Sequence, residues 1–229
     1  MPTYDSYDPI TGELTFTYTT TNDSRPFVVS ATDYDTERVQ PWRSHAVEYG
    51  IYSSLAGTYL RSEMTIFDDG SSFSFRNVDV FILANTWVDG GDITTRRDAA
   101  GRVDYIRDVR DVFDWRNDPP DYRSRDEDWD TATGKLDFRR TTYRSDGRIE
   151  DVDYDTATGN ADFIVVTYRD GSRLTQDIDP ATGRVDYERR VEASGARVDT
   201  DHDLTDAHPW NTFTVSYAAD GRVLDVIFG

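Results

Sequence analysis

Aspartates recur around glycine in a spacing that could hold a divalent cation. The pattern D-x-D-x-x-x-G-x-x-D places Asp153, Asp155 and Asp162 around Gly159. Carboxylate oxygens gathered on one turn are the hard ligands that Ca²⁺ requires. The pattern occurs three times, and it makes these aspartates the candidate calcium ligands: Asp128, Asp130, Asp137, Asp153, Asp155, Asp162, Asp177, Asp179 and Asp186.

The same aspartates have a second explanation that needs no metal. An Asp at the start of a turn accepts hydrogen bonds from backbone N–H groups of that turn, and a strand Asp can face water. The spacing also lacks the bidentate Glu at the twelfth position of an EF-hand loop, and it lacks the glycine-rich nonapeptide of calcium-binding β-helices. We therefore expect no cofactor, with calcium as the alternative.

The chain contains few residues in arrangements typical of catalysis. It has no G-x-S-x-G nucleophile motif, and Asp89-Gly90-Gly91-Asp92 is interpreted as a hairpin turn rather than a phosphate-binding loop. The histidines occupy unlike positions, with His45 in a predicted strand and His202 and His208 in a predicted loop. Acidic residues are so numerous that a pair suited to glycoside hydrolysis would arise by chance. We expect a protein without enzymatic activity.

The candidate ligands belong to a repeat of about 24 residues in the second half of the chain. Asp128–Gly134 recurs as Asp153–Gly159 and Asp177–Gly183, and a decayed copy starts at Asp201, so that the copies begin 25, 24 and 24 residues apart. A strand-like stretch follows each glycine and ends in a tight turn such as Asp170-Gly171. Two alternating turn types between such strands predict an antiparallel meander.

Alternation within the repeated strands indicates one apolar face, as in Phe163 and Val165 beside Asp162. The first repeat is one residue longer than the others, which predicts a β-bulge near Val152. The sequence therefore predicts an all-β fold, an antiparallel meander of repeated β-hairpins that forms an elongated twisted sheet.

A weaker form of the same pattern extends into the first half of the chain. Asp35–Tyr49 matches Asp203–Tyr217 at the same offsets, and each stretch contains a Pro-Trp pair. We interpret Trp42 and Trp210 as residues that fix a loop onto the sheet.

Composition divides the chain into two regions. Residues 1–116 form a predicted N-terminal β region with degenerate hairpins, and its more apolar stretch, about residues 50–90, predicts a packed core. Residues 121–229 form the predicted hairpin-repeat region. The segment Asn117–Pro120 between them is typical of a linker.

Tyr-Asp pairs followed by glycine occur at Tyr7–Gly12 and Tyr154–Gly159, with Asp-Gly turns between the strands. These motifs resemble the tyrosine-aspartate repeats of RHS-type surface and toxin proteins. The resemblance implies long β-hairpin strips that serve as extracellular shells, adhesins or carbohydrate-binding surfaces. It brings no catalytic residue.

Charge restricts the partners. The chain has 25 basic and 44 acidic residues, a net charge of −19, so its surface repels phosphate backbones and direct nucleic-acid binding through a basic face is not expected. No stretch approaches the length of a membrane span, and no Sec signal peptide is seen at the N-terminus. With no cysteine, the chain can form neither disulfides nor thiolate metal sites.

The repeats carry little apolar side chain, so neighbouring molecules should cover part of the sheet. Val223–Phe228 is a predicted strand with an edge open to β-augmentation by a protein partner or by a second copy. We expect a structural or interaction component of a larger assembly, such as a virion decoration or tail protein or a surface fibre, located on a virion or an extracellular surface. The alternative is a calcium-dependent extracellular adhesion or carbohydrate-binding module, with sugars stacked on exposed Tyr and Trp rings.

Overall fold

The fold is built from β-strands. The computed structural model describes residues 3–7, 13–21, 28–36, 38–51, 58–82, 86–110, 121–205 and 207–229. In these ranges there are seventeen strands and no helix. The chain divides into two compact units, residues 1–119 and 120–229. The all-β prediction is confirmed.

The first unit contains eight of the described strands. They are β1 Thr3–Tyr7, β2 Leu14–Thr21, β3 Val28–Tyr34, β4 Trp42–Ile51, β5 Thr58–Phe67, β6 Ser72–Ile82, β7 Thr86–Arg97 and β8 Val103–Arg110. Each strand pairs antiparallel with the next one in the chain.

The second unit contains the other nine. They are β9 Tyr122–Asp130, β10 Lys135–Tyr143, β11 Ile149–Tyr154, β12 Ala161–Thr167, β13 Arg173–Asp179, β14 Arg184–Val191, β15 Arg197–His202, β16 Thr212–Tyr217 and β17 Val223–Phe228. Here too each strand pairs antiparallel with its successor. The predicted antiparallel meander of hairpins is therefore confirmed.

Each unit is a single layer. Among the described residues of a unit, contacts between strands join only strands that follow one another in the chain. A side chain can therefore be buried only by its neighbours on the same face of adjacent strands. Six apolar residues among the described ones are buried, with 3–8% of their surface exposed: Tyr122, Val152, Val165, Val166, Ile178 and Val215.

These six residues all lie in the second unit, whereas the packed core was predicted near residues 50–90. The side chains of residues 50–59 and 78–90 are outside the described ones. In the stretch between them Thr65 is buried, but Met64 is 46% exposed. Successive side chains point to opposite faces of the sheet, and in a single layer neither face has a covering layer.

Long arginine side chains cover part of the apolar surface of the sheet. The Arg148 guanidinium lies 3.8 Å from the centroid of the Tyr143 ring, and that of Arg197 lies 4.0 Å from the centroid of Tyr217. Arg140 donates hydrogen bonds of 2.7 and 2.8 Å to the two oxygens of Asp151 on the next strand. Because Arg packs its aliphatic stem on apolar surface while its head stays solvated, such pairs stabilise a sheet that has no second layer.

The short turns share one geometry. In the turn after β12, the Tyr168 N–H donates to the Ser172 carbonyl at 2.9 Å, and the Gly171 N–H donates back to the Tyr168 carbonyl at 3.0 Å. Gly171 has φ +87°, which a residue with a Cβ rarely adopts. This is a three-residue hairpin loop with a left-handed glycine, and the Asp-Gly sequences predicted it.

The extra residue of the first repeat lies in a turn, so the prediction of a bulge near Val152 is wrong. Val152 pairs in unbroken register with Arg139 and Ile164. The turn of residues 144–147 is one residue longer than its equivalents, since the Tyr143 N–H donates to the Arg148 carbonyl. The longer turn is held by Asp121, whose carboxylate accepts hydrogen bonds from the backbone N–H and the hydroxyl of Ser145 at 3.1 and 2.7 Å.

Bulges do occur, three residues after the turn glycines. Asp137, Asp162 and Asp186 are each the unpaired residue where the register with the preceding strand shifts. The aligned aspartates of the repeat are therefore bulge residues, which explains their identical spacing from Gly134, Gly159 and Gly183.

The interpretation of Asp89–Asp92 as a hairpin turn is also wrong, because these residues lie inside β7. Gly91 has φ +126°, and a Cβ built on it would lie 1.8 Å from the Val109 carbonyl oxygen. This glycine permits the close approach of β8 rather than a reversal of the chain. The proposed linker Asn117–Pro120 and the motif residues 8–12 lie outside the described residues.

Candidate functional site

The turn aspartates of the repeat bond to their own turns. Asp155 accepts hydrogen bonds from the backbone N–H and the hydroxyl of Thr158, at 2.5 and 2.8 Å. Asp179 accepts from the Ala181 N–H at 2.9 Å and from the Thr182 hydroxyl at 2.7 Å. These hydrogen bonds lower the pKa of both carboxyl groups. Asp130 has an equivalent bond from the Ala132 N–H at 2.7 Å, which lowers its pKa as well.

The other candidate ligands lie on strands. Asp128 is opposite Phe138, Asp153 is opposite Phe138 and Phe163, and Asp177 is opposite Phe163 and Tyr187. The structure thus places them on pairing positions and leaves the bulge aspartates unpaired.

Asp153 is the most perturbed of these strand aspartates. Partial desolvation raises its pKa, and the nearby carboxylates of Asp137, Asp162 and Asp151 raise it further. The structure therefore brings Asp137 and Asp162 into electrostatic range of Asp153. Within the described ranges, however, no three or more His, Asp or Glu residues are grouped so as to hold a metal ion.

The three histidines have different surroundings. His45 lies in β4, as predicted, with Nδ1 3.0 Å from the Thr65 hydroxyl and Nε2 3.8 Å from the Glu63 carboxylate. His202 is the last residue of β15, so its placement in a loop was wrong. His208 lies in a loop and stacks on Trp210.

Two loops, one in each unit, have the same internal hydrogen bonds. In the Asp35 loop (residues 35–42), the Asp35 carboxylate accepts the N–H groups of Val39 and Gln40 at 3.1 and 2.9 Å. In the Asp203 loop (residues 203–210), the Asp203 carboxylate accepts those of Ala207 and His208 at 3.0 and 2.6 Å. When Asp35–Tyr49 is aligned with Asp203–Tyr217, Val39 and Gln40 fall opposite Ala207 and His208.

The backbone and ring geometry of the two loops agree as well. Asp35 N–H donates to the Arg43 carbonyl and Asp203 N–H to the Asn211 carbonyl, at 3.2 and 3.0 Å. The Trp42 and His45 rings are 5.9 Å apart at 44°. Their equivalents, the rings of Trp210 and Phe213, are 5.8 Å apart at 38°. Both Trp rings therefore pack against the strand that follows the loop, as predicted.

The two loops differ in the residue that lies beside the Trp ring. The His208 imidazole lies parallel to the Trp210 ring, with centroids 4.6 Å apart and planes 6° apart. At the same position the Asp35 loop has Gln40, and a groove of about 280 Å³ borders Trp42. Sequence reasoning missed this groove, although the replacement of His208 by Gln40 in the matched stretches was a signal for it.

The last described strand is an exposed apolar edge. In β17 the side chains of Val223, Leu224, Val226, Ile227 and Phe228 are 45–63% exposed. The strand pairs with β16 on one side, and no described residue pairs with its other side. A long apolar edge of this kind is a template for pairing with another strand.

The described residues contain no helix of the length and hydrophobicity needed to cross a membrane. In comparisons with known proteins, no family model and no curated protein matches the sequence.

Proposed function

We propose that this chain is a non-enzymatic structural protein that joins a larger assembly by strand addition at β17. The observation that carries the proposal is the exposed apolar edge of Val223–Phe228. In a single-layer sheet this edge has no second layer to cover it, so a neighbouring strand is the element that would bury it.

Charge favours a second copy of the chain as the neighbour. In residues 212–228 the only charged side chains are those of Asp220, Arg222 and Asp225, although 30% of all residues are charged. The edge is therefore nearly neutral on a protein of net charge −19. Like-charge repulsion disfavours contact elsewhere on the surface and is weak at this edge.

The outward backbone groups of β17 fit a symmetric pairing. The Gly229 N–H donates inward to the Thr212 carbonyl at 2.9 Å. Because N–H directions alternate along a strand, the N–H groups of Phe228 and Val226 point outward. In an antiparallel pair of two copies centred on Val226, these N–H groups would donate to carbonyls of the other β17. Asp225 would then lie opposite Ile227 of the other copy, so the two Asp225 carboxylates would not face each other.

A chain that dimerises in this way suits a component of a virion decoration or tail, or of a surface fibre. The support for this class is the repeated hairpin architecture together with a surface that keeps unassembled copies soluble.

The test is a measurement of mass by light scattering over a range of micromolar concentrations. We expect reversible association of the natural chain and its loss in Val226→Pro. Proline removes the outward N–H and leaves the inward ladder with β16 intact. The control is Met64→Lys, since Met64 is an apolar residue, 46% exposed, in the other unit. A natural chain that stays monomeric, or a Val226→Pro variant that associates as well as the natural chain, would overturn the proposal.

A further inference from the structure

The groove beside Trp42 lies next to Gln40, the residue that aligns with His208 of the Asp203 loop. In the Asp203 loop, the His208 ring is stacked parallel on Trp210, and the Phe213 ring packs against Trp210 at 38°. The Trp42 ring has the same relation to His45 that Trp210 has to Phe213. Trp42 borders the groove, and among the described residues no ring is stacked parallel on it.

The groove combines an aromatic face with carboxylates. It is lined by Trp42, Tyr34, Gln40 and Thr15, together with Asp33 and Asp35, and none of its lining residues is basic. Both oxygens of Asp35 are occupied by loop N–H groups. Asp33 has no hydrogen-bond or ion-pair partner among the described residues, so it is the carboxylate available to a ligand.

Elsewhere in this protein, arginine is the side chain that packs on an aromatic ring beside a carboxylate. Among the described residues, six guanidinium groups lie over Tyr rings: Arg96 on Tyr105, Arg125 on Tyr122, Arg139 on Tyr154, Arg148 on Tyr143, Arg189 on Tyr187 and Arg197 on Tyr217. Four of them also bind an Asp carboxylate: Arg96 at 3.0 Å, Arg148 at 2.8 Å, Arg189 at 2.9 Å and Arg197 at 3.4 Å. The groove supplies the aromatic ring and the carboxylate of this arrangement without the arginine.

We propose that the groove beside Trp42 receives the guanidinium group of an arginine on a basic protein partner. A guanidinium is planar, so it stacks on the Trp face as His208 does in the other loop, and Trp is the strongest aromatic partner for a cation. Its N–H groups reach the Asp33 carboxylate and the Gln40 side-chain carbonyl. The net charge of −19 steers a basic partner toward the surface and a second copy away from it.

The nearest arginines of the chain are not available to fill the groove. Arg43 donates a hydrogen bond to the Asp68 carbonyl at 3.0 Å. Arg38 is exposed and does not line the groove. Its φ of +54° belongs to the left-handed region, which holds the loop in an uncommon conformation beside the groove.

The experiment follows the indole N–H signals of the ¹⁵N-labelled full chain by NMR. The Trp42 signal is the one lost in Trp42→Phe. The probe is N-acetyl-arginine methylamide, and the control probe is the citrulline analogue, which has the same shape without the charge. We expect the arginine probe to shift the Trp42 signal in a saturable way, and the citrulline probe to shift it much less.

Variants locate the effect. Asp33→Asn should weaken binding of the arginine probe about tenfold, since it removes the charge that faces the guanidinium. Gln40→His should abolish the shift by reproducing the internal stack of the Asp203 loop. His208→Gln should produce a new arginine-dependent shift at the Trp210 signal, because Asp201 stands where Asp33 stands in the other loop.

Three results would overturn the inference: no shift at any probe concentration, equal shifts with arginine and citrulline, or a larger shift with a neutral disaccharide such as maltose. The last of these would assign the groove to a saccharide. Because a free amino-acid derivative is used, failure here leaves strand addition at β17 untouched, and monomeric behaviour of the chain leaves this test intact.

Discussion

The Asp225 carboxylate accepts a hydrogen bond from the backbone N–H of its neighbour Val226 at 2.9 Å. This N–H points away from β16, so Asp225 satisfies an outward donor on the exposed edge. Natural proteins protect such edges with charged side chains. Asp225 therefore limits the strand addition that the rest of β17 favours.

Asp225→Ala should strengthen association of the chain. The substitution frees the Val226 N–H and removes the charge at the centre of the edge, so we expect tighter association by about 1 kcal/mol, roughly fivefold in Kd. Sedimentation equilibrium measures this change. The control is Asp186→Asn, which removes one charge from an exposed bulge far from β17 in sequence. If both variants associate more tightly by the same factor, net charge and not the edge is responsible.

Substitution by alanine should lower the unfolding free energy by different amounts at Gly91 and at Gly101. Both have positive φ, but a Cβ on Gly91 would overlap the Val109 carbonyl, whereas a Cβ on Gly101 meets no atom within 4 Å. Gly101→Ala should cost about 1 kcal/mol of unfolding free energy, the cost of a left-handed residue with a side chain. Gly91→Ala should cost clearly more, because β7 and β8 must separate. Urea denaturation measures both, and equal losses would contradict the close approach of the two strands.

The local chemistry of Asp and Gly was enough to predict the hairpins. Asp170-Gly171 and its equivalents specify a turn because glycine accepts positive φ and Asp bonds to the turn backbone, and neither effect depends on distant residues. The match of Asp35–Tyr49 with Asp203–Tyr217 likewise predicted the equivalence of two loops in separate units.

The errors arose where one residue type serves two purposes. A glycine pair permits either a turn or the close approach of two strands. The pairing of Gly91 with Arg110 shows that here it permits the close approach of β7 and β8. The extra residue of the first repeat could be absorbed in a strand or in a turn. The hydrogen bonds from Ser145 to Asp121, 24 residues away in the chain, place it in the turn.

The candidate sites depend on relations that a sequence does not display. Whether the Val226 N–H faces β16 or solvent follows from the register with Val215. The groove beside Trp42 became evident only by comparison with the ring of His208 on Trp210.

Calcium should leave the stability of the chain unchanged. The oxygens that the repeat offers at its turns, such as those of Asp155 and Asp179, already accept hydrogen bonds from the turns themselves. A cation would have to displace these bonds. We expect the same thermal midpoint in calcium and in EDTA, measured by circular dichroism at equal ionic strength. A higher midpoint in calcium that Asp155→Asn removes would instead establish the metal site.

Asp153 and Asp155, two residues apart, should respond to pH in opposite ways. The pKa of Asp155 is lowered in the folded protein by its bonds to Thr158, so its ionised form stabilises the fold above the unfolded pKa and this contribution is lost as pH falls through the folded pKa. The pKa of Asp153 is raised by desolvation and neighbouring carboxylates, so its ionised form destabilises the fold at neutral pH and the penalty disappears on acidification.

Two variants separate these effects. Asp155→Ala should lower the urea midpoint at about pH 7, and Asp153→Asn should raise it. The Asp153→Asn difference should shrink first on acidification, as the pH falls through the raised pKa of Asp153. The part of the Asp155→Ala difference that depends on ionisation should shrink only at lower pH, as the pH falls through the lowered pKa of Asp155. The charge-matched control is again Asp186→Asn. A urea midpoint that Asp153→Asn lowers at neutral pH would show that the Asp153 carboxylate stabilises the sheet, and the repulsion by Asp137 and Asp162 would then be too weak to matter.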